Sequence, residues 1–210
     1  MVIIYSGGMD STTLLHEYQH SIKLAISFNY NSKHNNIEIK YAKKNCEKLG
    51  IKHIVINLPF INEHFKSSLL QSGGEIPNGE YNTENIKSTV VPFRNGIMLS
   101  IAAGIADSIG AKKILIANHA NDSAVYPDCR ATFINEMNNA ISYGTENNIN
   151  ILAPYTNLSK REIALRGQKY NVAFEDTYSC YRGGEVQCGK CTTCTDRKIA
   201  LAGFDTTIYQ

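Results

Sequence analysis

No stretch of the chain approaches the roughly 18 to 20 consecutive apolar residues that a membrane-spanning helix needs, so no membrane partner is expected. Net charge is nearly missing as well. The chain has 21 Lys and Arg against 19 Asp and Glu, and the resulting +2 gives no basis for a nucleic-acid surface. The first residues are a short apolar run followed by polar loop, with no basic segment leading into an apolar one, so no signal peptide is expected. Internal repeats and heptads are absent. What remains is a 210-residue chain, 43% apolar, able to bury one ample core with a small appendage. These absences place it in the cytoplasm, where thiols stay reduced. Six cysteines there point to metal binding or chemistry more than to disulfides.

What is present alternates. In "VIIYSGGMDSTTLL" (2–15), consecutive apolar and β-branched residues suit a strand buried on both faces of a parallel sheet. A glycine turn follows, then a helix with Asp10 or Ser11 as expected N-cap and Leu14, Leu15 and Tyr18 on its apolar face. "KLAISFNY" reads as a second strand, "NNIEIKYAKKNCEKLG" as a helix ended by Gly50, and "KHIVINL" as a third strand. "SGGEIPNGEYNTENIKS" (72–88) reads as a long loop, a kind often functional in compact domains. "NGIMLSIAAGIADSIG" is a helix, "KKILIAN" a strand, "CRATFINEMNNAISYG" a helix, "INILAPY" a strand, and "LSKREIALRGQKY" a helix capped by Ser159. Repeated βαβ units with right-handed crossovers give an α/β fold: a Rossmann-like, doubly wound parallel sheet over residues 1–175. The Ala and Gly of 95–110 imply close approach to the sheet or to another subunit, which leaves a homodimer open.

Chemistry concentrates in three places. In "SGGMDS", Gly7 and Gly8 sit between a buried strand and a helix start, with Ser6, Asp10, Ser11, Thr12 and Thr13 around them; backbone amides converging there attract phosphate. The loop lacks the lysine and the length of GxxxxGK[ST], which disfavours γ-phosphoryl transfer and suits a pyrophosphate unit. Cys180, Cys188, Cys191 and Cys194, spaced C-x7-C-x2-C-x2-C, form a closed thiolate set fit for one structural zinc ion in a segment over 176–210. Lys190, Arg182, Arg197 and Lys198 are available to offset its negative charge. An iron–sulfur cluster is the rival, opposed by the missing Cys-Pro after Cys194. Cys46, without a partner, reads as core. The third place is "FRNG" with "NDSAVYPDCR": Arg94 and Arg130 offer planar forks for carboxylate or phosphate, beside Asn95, Asp122, Tyr126 and Asp128. Cys129 is a conceivable nucleophile with no base fixed beside it.

"SGGMDS" matches the SGGxDS signature of the ATP pyrophosphatases. "VPFRNGIMLSIAAGIA", "YPDCRATFI" and "CGKCTTCTDRKIA" resemble, in the same order, the 7-cyano-7-deazaguanine synthase (QueC) family. The resemblance covers nearly the whole chain and implies a sheet of the adenine-nucleotide-α-hydrolase kind. It implies an ATP-dependent carbon–nitrogen ligase that turns 7-carboxy-7-deazaguanine and ammonia into 7-cyano-7-deazaguanine on the route to queuosine, releasing AMP and pyrophosphate. Carried over by position, Tyr5, Ser6, Gly7, Gly8, Met9, Asp10, Ser11, Thr12, Thr13, Leu14 and Leu15 would hold ATP, with Asp10 placing Mg²⁺ and Lys160 near the phosphates. Arg94, Asn95, Asp122, Tyr126, Asp128 and Arg130 would hold the substrate, the aspartates accepting from a guanine-like edge. Two stretches depart from the pattern: "FNYNSKH" stands for FDYGQRH and "DSAVYPDCR" for DYSGYPDCR. His34 in the first is either a site residue or a solvated loop histidine. A variant that stops at the 7-amido compound, a tRNA-modifying ATP pyrophosphatase and a catalytically idle zinc-held binding module all remain open at this level.

Overall fold

The computed structural model describes residues 1–78 and 87–210. Five parallel strands stand in the order β3-β2-β1-β4-β5: β1 Val2–Ile4, β2 Leu24–Asn29, β3 His53–Asn57, β4 Lys113–Leu115 and β5 Asn150–Leu152. Among the described residues the helices of at least one α-turn are α1 Met9–Glu17, α2 Asn35–Leu49, α3 Pro59–His64, α4 Arg94–Ser108, α5 Ala120–Ser123, α6 Ala131–Gly144, α7 Lys160–Lys169 and α8 Thr192–Ala200. The expected α/β, doubly wound architecture is what the chain adopts.

Alternation along β1 assigns the faces. Val2 packs with Leu99 and Ala102 of α4 and Ile134 of α6. Ile3 packs on the other side with Leu14 of α1, Ala42 of α2 and Ile163 of α7. Strand order reverses between β1 and β4, and the carboxyl ends of those two strands open a crevice where open α/β sheets bind ligands.

Element ends follow local chemistry. α2 stops at Gly50, in the left-handed region at φ 66, as the sequence predicts. α7 starts from a capping box: Ser159 accepts from the Glu162 amide and Glu162 accepts from the Ser159 amide, worth about 1 kcal/mol. α1 differs from expectation, because its N-cap is Gly8, with no side-chain cap. The extended angles of Gly8 start the helix early, so Asp10 and Ser11 lie in the first turn and their side chains are not spent on capping.

The strand expected over 112–118 pairs over only three residues. Asn118 has already left the ladder and donates from Nδ2 to the Cys129 carbonyl at 3.0 Å and to Thr156 Oγ1 at 3.3 Å, tying the end of β4 to the loop before α6.

Of the 72–88 stretch, residues 79–86 lie outside the described part. The described beginning is pinned. Lys33 Nζ donates to the carbonyls of Ser68, Gly73 and Gly74, Ser72 bonds Asn62, and Ile76 is buried. One of the residues that departs from the family pattern therefore clamps this segment.

The C-terminal segment is packed into the body of the molecule. All four clustered cysteines and Tyr178 share the apolar cluster on the α4 face. Ion pairs contribute little to this attachment: Lys44 and Lys48, which meet Asp176, are each 52% exposed, and such pairs add about 0–1 kcal/mol. Arg197 is fully buried and spends its guanidinium on neutral acceptors, the Thr177, Ser179 and Thr207 hydroxyls and the Phe174 carbonyl. Its role is to knit residues 174–179 to residue 207.

Candidate active site

The crevice at the β1/β4 switch point deepens into a cavity of about 230 Å³. Tyr5, Ser6, Gly8, Met9, Asp10 and Ser11 line one end of it from β1, the glycine turn and α1. Gly7 does not line it, and its role is close approach. Its φ is +86, and a Cβ there would lie 2.5 Å from the Glu38 carbonyl oxygen and 2.8 Å from the Ala42 nitrogen, so only glycine lets the turn pass under α2. The turn is laced by hydroxyls: Gly8 N–H donates to Ser6 Oγ at 3.1 Å, and Ser6 Oγ and Ser11 Oγ stand 3.0 Å apart. The first-turn amides of α1 have no intrahelical partner and no side-chain cap, and so remain for an anion. Thr12, Thr13, Leu14 and Leu15 are buried beneath the loop instead of facing the cavity; Thr12 Oγ1 meets Tyr5 OH at 3.0 Å.

Across the cavity stands a charged group that the chain assembles from four separated places. Asp10 Oδ2 is 3.7 Å from Lys160 Nζ and 3.8 Å from His119 Nε2; His119 Nε2 is 3.3 Å from Asp122 Oδ2; Lys160 Nζ is 3.5 Å from Asp196 Oδ2. Burial tends to lower Lys160, but Asp10, Asp196 and Asp122 outweigh it and hold the ammonium above its usual range. Asp122 is pushed up by burial, with Asp10 adding to the effect against His119 and Lys160. Asp10 Oδ1 and His119 Nδ1 are buried without a hydrogen-bond partner among the described residues. Buried polar atoms of that kind are costly in a finished structure, and a ligand that satisfies them removes the cost. His119 and Asp196 were not anticipated. His119 sits at the carboxyl end of β4, a position that could have flagged it; nothing in the text around Asp196 marks it.

Arg94, Asn95, Asp122 and Tyr126 also line the cavity. Arg94 donates to Tyr30 OH at 3.1 Å and remains firmly cationic. Two residues expected to hold the substrate do not line the cavity. The Asp128 carboxylate accepts the Asn95 amide N–H at 2.8 Å, at the start of α4, and Arg130 is exposed, donating to the Ser123 carbonyl. Cys129 lines the cavity, but burial and the neighbouring Asp122 and Asp128 push its thiol strongly up, so it stays protonated and is a poor nucleophile.

His34 is not solvated. It is 3% exposed, lines the cavity, donates from Nδ1 to the Tyr181 carbonyl at 3.3 Å, and stands 3.9 Å from Glu38, which lines the cavity too. Burial lowers His34 to about 4, helped by Arg94, and raises Glu38 to about 8 against Arg94, so both are neutral near pH 7. Their effects on stability have opposite signs. The His34 contribution is full above its unfolded value near 6.5 and is lost as pH falls through about 4. The Glu38 contribution is full below about 4.5 and is lost as pH rises through about 8. Glu38→Gln is therefore expected to raise the melting temperature of the ligand-free protein relative to wild type at about pH 8.5, with a smaller difference at about pH 5.5. Thermal melts at the two pH values test this, and an equal difference at both would reject it.

The candidate metal-binding cluster is local. Cys180, Cys188, Cys191 and Cys194 are buried, unpaired, and offer sulfurs all within 4.8 Å of one another, with 188–194 and 180–191 both at 4.0 Å. Four Zn–S bonds of ~2.3 Å make a tetrahedron with edges of about 3.8 Å, so the set fits zinc with little movement. Gly189, at φ +66, turns the knuckle, and the amides of Lys190 and Cys191 point at Cys188 Sγ at 3.5 and 3.3 Å. Of the expected counter-charges, Lys198 reaches the knuckle through the Gly189 carbonyl, whereas Arg182 bonds Asn78.

Comparison with known proteins agrees with this geometry. Residues 1–205 match the family model described as "Queuosine biosynthesis protein QueC". Proteins named 7-cyano-7-deazaguanine synthase are similar over the full length. One from Porphyromonas gingivalis is 53% identical over 212 residues, covering 100% of this chain and 96% of the relative. One from Desulfotalea psychrophila is 48% identical, covering 99% and 97%, and one from Methanoregula boonei is 45% identical, covering 95% and 93%. Among solved structures, NMN synthetase from Francisella tularensis has the same fold, with a TM-score of 0.52 at 16% identity over 98% of this chain and 78% of that one. A glycine turn at the switch point, a lysine and an arginine lining the same cavity, a four-cysteine cluster and a family match from residue 1 to 205 lead to one statement: the chain belongs to the QueC family.

Proposed function

We propose that the chain converts 7-carboxy-7-deazaguanine and ammonia to 7-cyano-7-deazaguanine at the expense of two ATP, and that the β1/β4 cavity is where this happens. The observation that carries the reading is the convergence of the α1 N-terminus, Lys160 and Arg94 on one cavity, so that a triphosphate and a carboxylate meet at cationic groups. The substrate carboxylate attacks the α-phosphorus of ATP and pyrophosphate leaves, which turns a carboxylate oxygen into part of a good leaving group. Ammonia adds to the carbonyl carbon, AMP leaves with the C–O electron pair, and a proton is lost from nitrogen. The amide oxygen then attacks the α-phosphorus of a second ATP and a second pyrophosphate leaves; loss of AMP with the C–O electron pair and of the two remaining nitrogen protons gives the nitrile.

Residue roles follow from placement. The amides after Gly8 and the hydroxyls of Ser6 and Ser11 hold the departing pyrophosphate, and Lys160 neutralises the charge that develops on it. Arg94 takes the carboxylate as a planar fork. Asn95, Asp122 and Tyr126 border the base; Asp128 acts through the Asn95 backbone, and Arg130 by shaping the loop before α6. Mg²⁺ bound with ATP would offset phosphate charge, and Asp10, with one carboxylate oxygen unpartnered, is the residue placed to hold it. The four cysteines hold one structural zinc ion, and reduced cysteines with free ammonia and ATP as reactants suit the cytoplasm.

A reaction that stops at the amide is the second reading, because "DSAV" replaces DYSG at the cavity edge. Val125 packs with Tyr126, Cys129 and Val90, and Ser123 Oγ closes back on the Ala120 carbonyl at 2.7 Å, so the altered loop is tightly held and favours retention of the amide. Mass spectrometry of a reaction with excess ATP and ammonia is expected to show the nitrile with two pyrophosphates per substrate. A persistent amide with one pyrophosphate would reject nitrile formation for this chain.

A further inference from the structure

Lys160 occupies a place that opposes its charge. Its side chain is 10% exposed, and it is the first residue of α7, where the helix dipole repels a cation. Two carboxylates offset both effects, Asp10 from the phosphate turn and Asp196 from α8. They are not equivalent. Asp10 faces the cavity and, under the reading above, is committed to the metal and phosphates whenever ATP is bound. Asp196 is absent from the cavity wall and approaches Lys160 from α8, so it keeps its partner throughout.

α8 is also the helix of the metal centre. Cys191 is its N-cap and Cys194 lies in its first turn, two residues before Asp196. Both arms of the centre reach the site: Thr193 of α8 lines the cavity, and Tyr178, two residues before Cys180, donates its N–H to the Gly7 carbonyl at 3.0 Å.

We propose that Asp196 is a positioning residue for the reaction, holding the Lys160 ammonium at the cavity wall, and that the four-cysteine centre sets where this carboxylate stands by fixing the start of α8. The metal centre is thus part of the geometry of phosphate handling as well as of folding. The inference rests on the reading in which Lys160 meets the phosphates.

The experiment is a double-mutant cycle in the full, metal-loaded chain: Asp196→Asn, Lys160→Met and the pair, with metal content and melting temperature as controls. Asp196→Asn is expected to retain its metal and melt within a few degrees of wild type. It should lower kcat for pyrophosphate release on the order of 10- to 100-fold and leave KM for the carboxylated base unchanged. ATP affinity, measurable even where turnover is lost, should fall in Asp196→Asn and show no further fall when that change is added to Lys160→Met. An additive loss in the Lys160→Met background, a kcat within twofold of wild type, or a loss that tracks metal content would overturn the proposal. A wild-type protein that releases no pyrophosphate with the carboxylated base rejects the parent reading, whereas an active wild type with an indifferent Asp196→Asn rejects this inference alone.

Discussion

Pyrophosphate release is expected to fall on the order of 100- to 1000-fold or more when Asp10 is replaced by alanine, while the protein stays folded. The chemical effect is large because of where the carboxylate stands. It lies in the first turn of α1, its Oδ1 is buried without a partner among the described residues, and its Oδ2 faces Lys160 and His119 at 3.7 and 3.8 Å. Under the proposed function a carboxylate in that position holds the Mg²⁺ that offsets the phosphate charge, and its loss removes that compensation. The stability effect is small for a related reason. Asp10 is not the helix cap, and Lys160 retains Asp196 when Asp10 is gone, so no buried ammonium is orphaned. Coupled detection of pyrophosphate alongside a thermal melt checks both halves. Turnover within a few fold of wild type would reduce Asp10 to an ordinary first-turn acid.

Cys191→Ser is expected to cost the fold itself. Structural zinc in small thiolate sites contributes about 10–16 kcal/mol of apparent binding free energy near pH 7, comparable to the ~5–15 kcal/mol total stability of a typical protein. Cys191 is fully buried, caps α8 and sits 4.0 Å from Cys180 Sγ, so losing its thiolate opens the tetrahedron and frees the helix that carries Asp196. Even a fraction of that free energy, about 4–5 kcal/mol, lowers the melting temperature of a chain this size by 10 °C or more. Insoluble expression or a drop of that size, with wild type colourless and holding about one zinc per chain, is the expected outcome. A variant that melts like wild type but is inactive would remove the structural role. Iron and sulfide with visible absorbance in wild type would replace zinc by a cluster.

His34 shows how far a sequence reads and where it stops. On the page it is a histidine in a polar stretch, for which exposure is the ordinary expectation. In the fold it is enclosed, because the segment around Tyr181 folds back over it from 147 residues away and sets a ring 5.4 Å from its own. Asp128 fails in the opposite direction: its neighbourhood reads as ligand-binding, yet its carboxylate is taken by the backbone of Asn95, a partner that only the approach of α4 supplies.

The sequence by itself determined the α/β alternation, the helix stop at Gly50 and the helix start at Ser159, the glycine turn after β1 and the four-cysteine cluster. Each depends on residues within a few positions of one another, or on periodicities of 2 and 3.6 that any α/β packing must obey. Only the tertiary structure decided that Asp10, His119, Lys160 and Asp196 form one charged group, that buried His34 and half-buried Glu38 line the same cavity, and that Arg130 is outside. Those facts join residues from the carboxyl ends of β1 and β4, the start of α7 and the helix of the cysteine cluster, elements far apart in the chain that meet because the strand order reverses between β1 and β4. No local pattern encodes such a meeting, since the burial that shifts each group is created by elements far away in the chain.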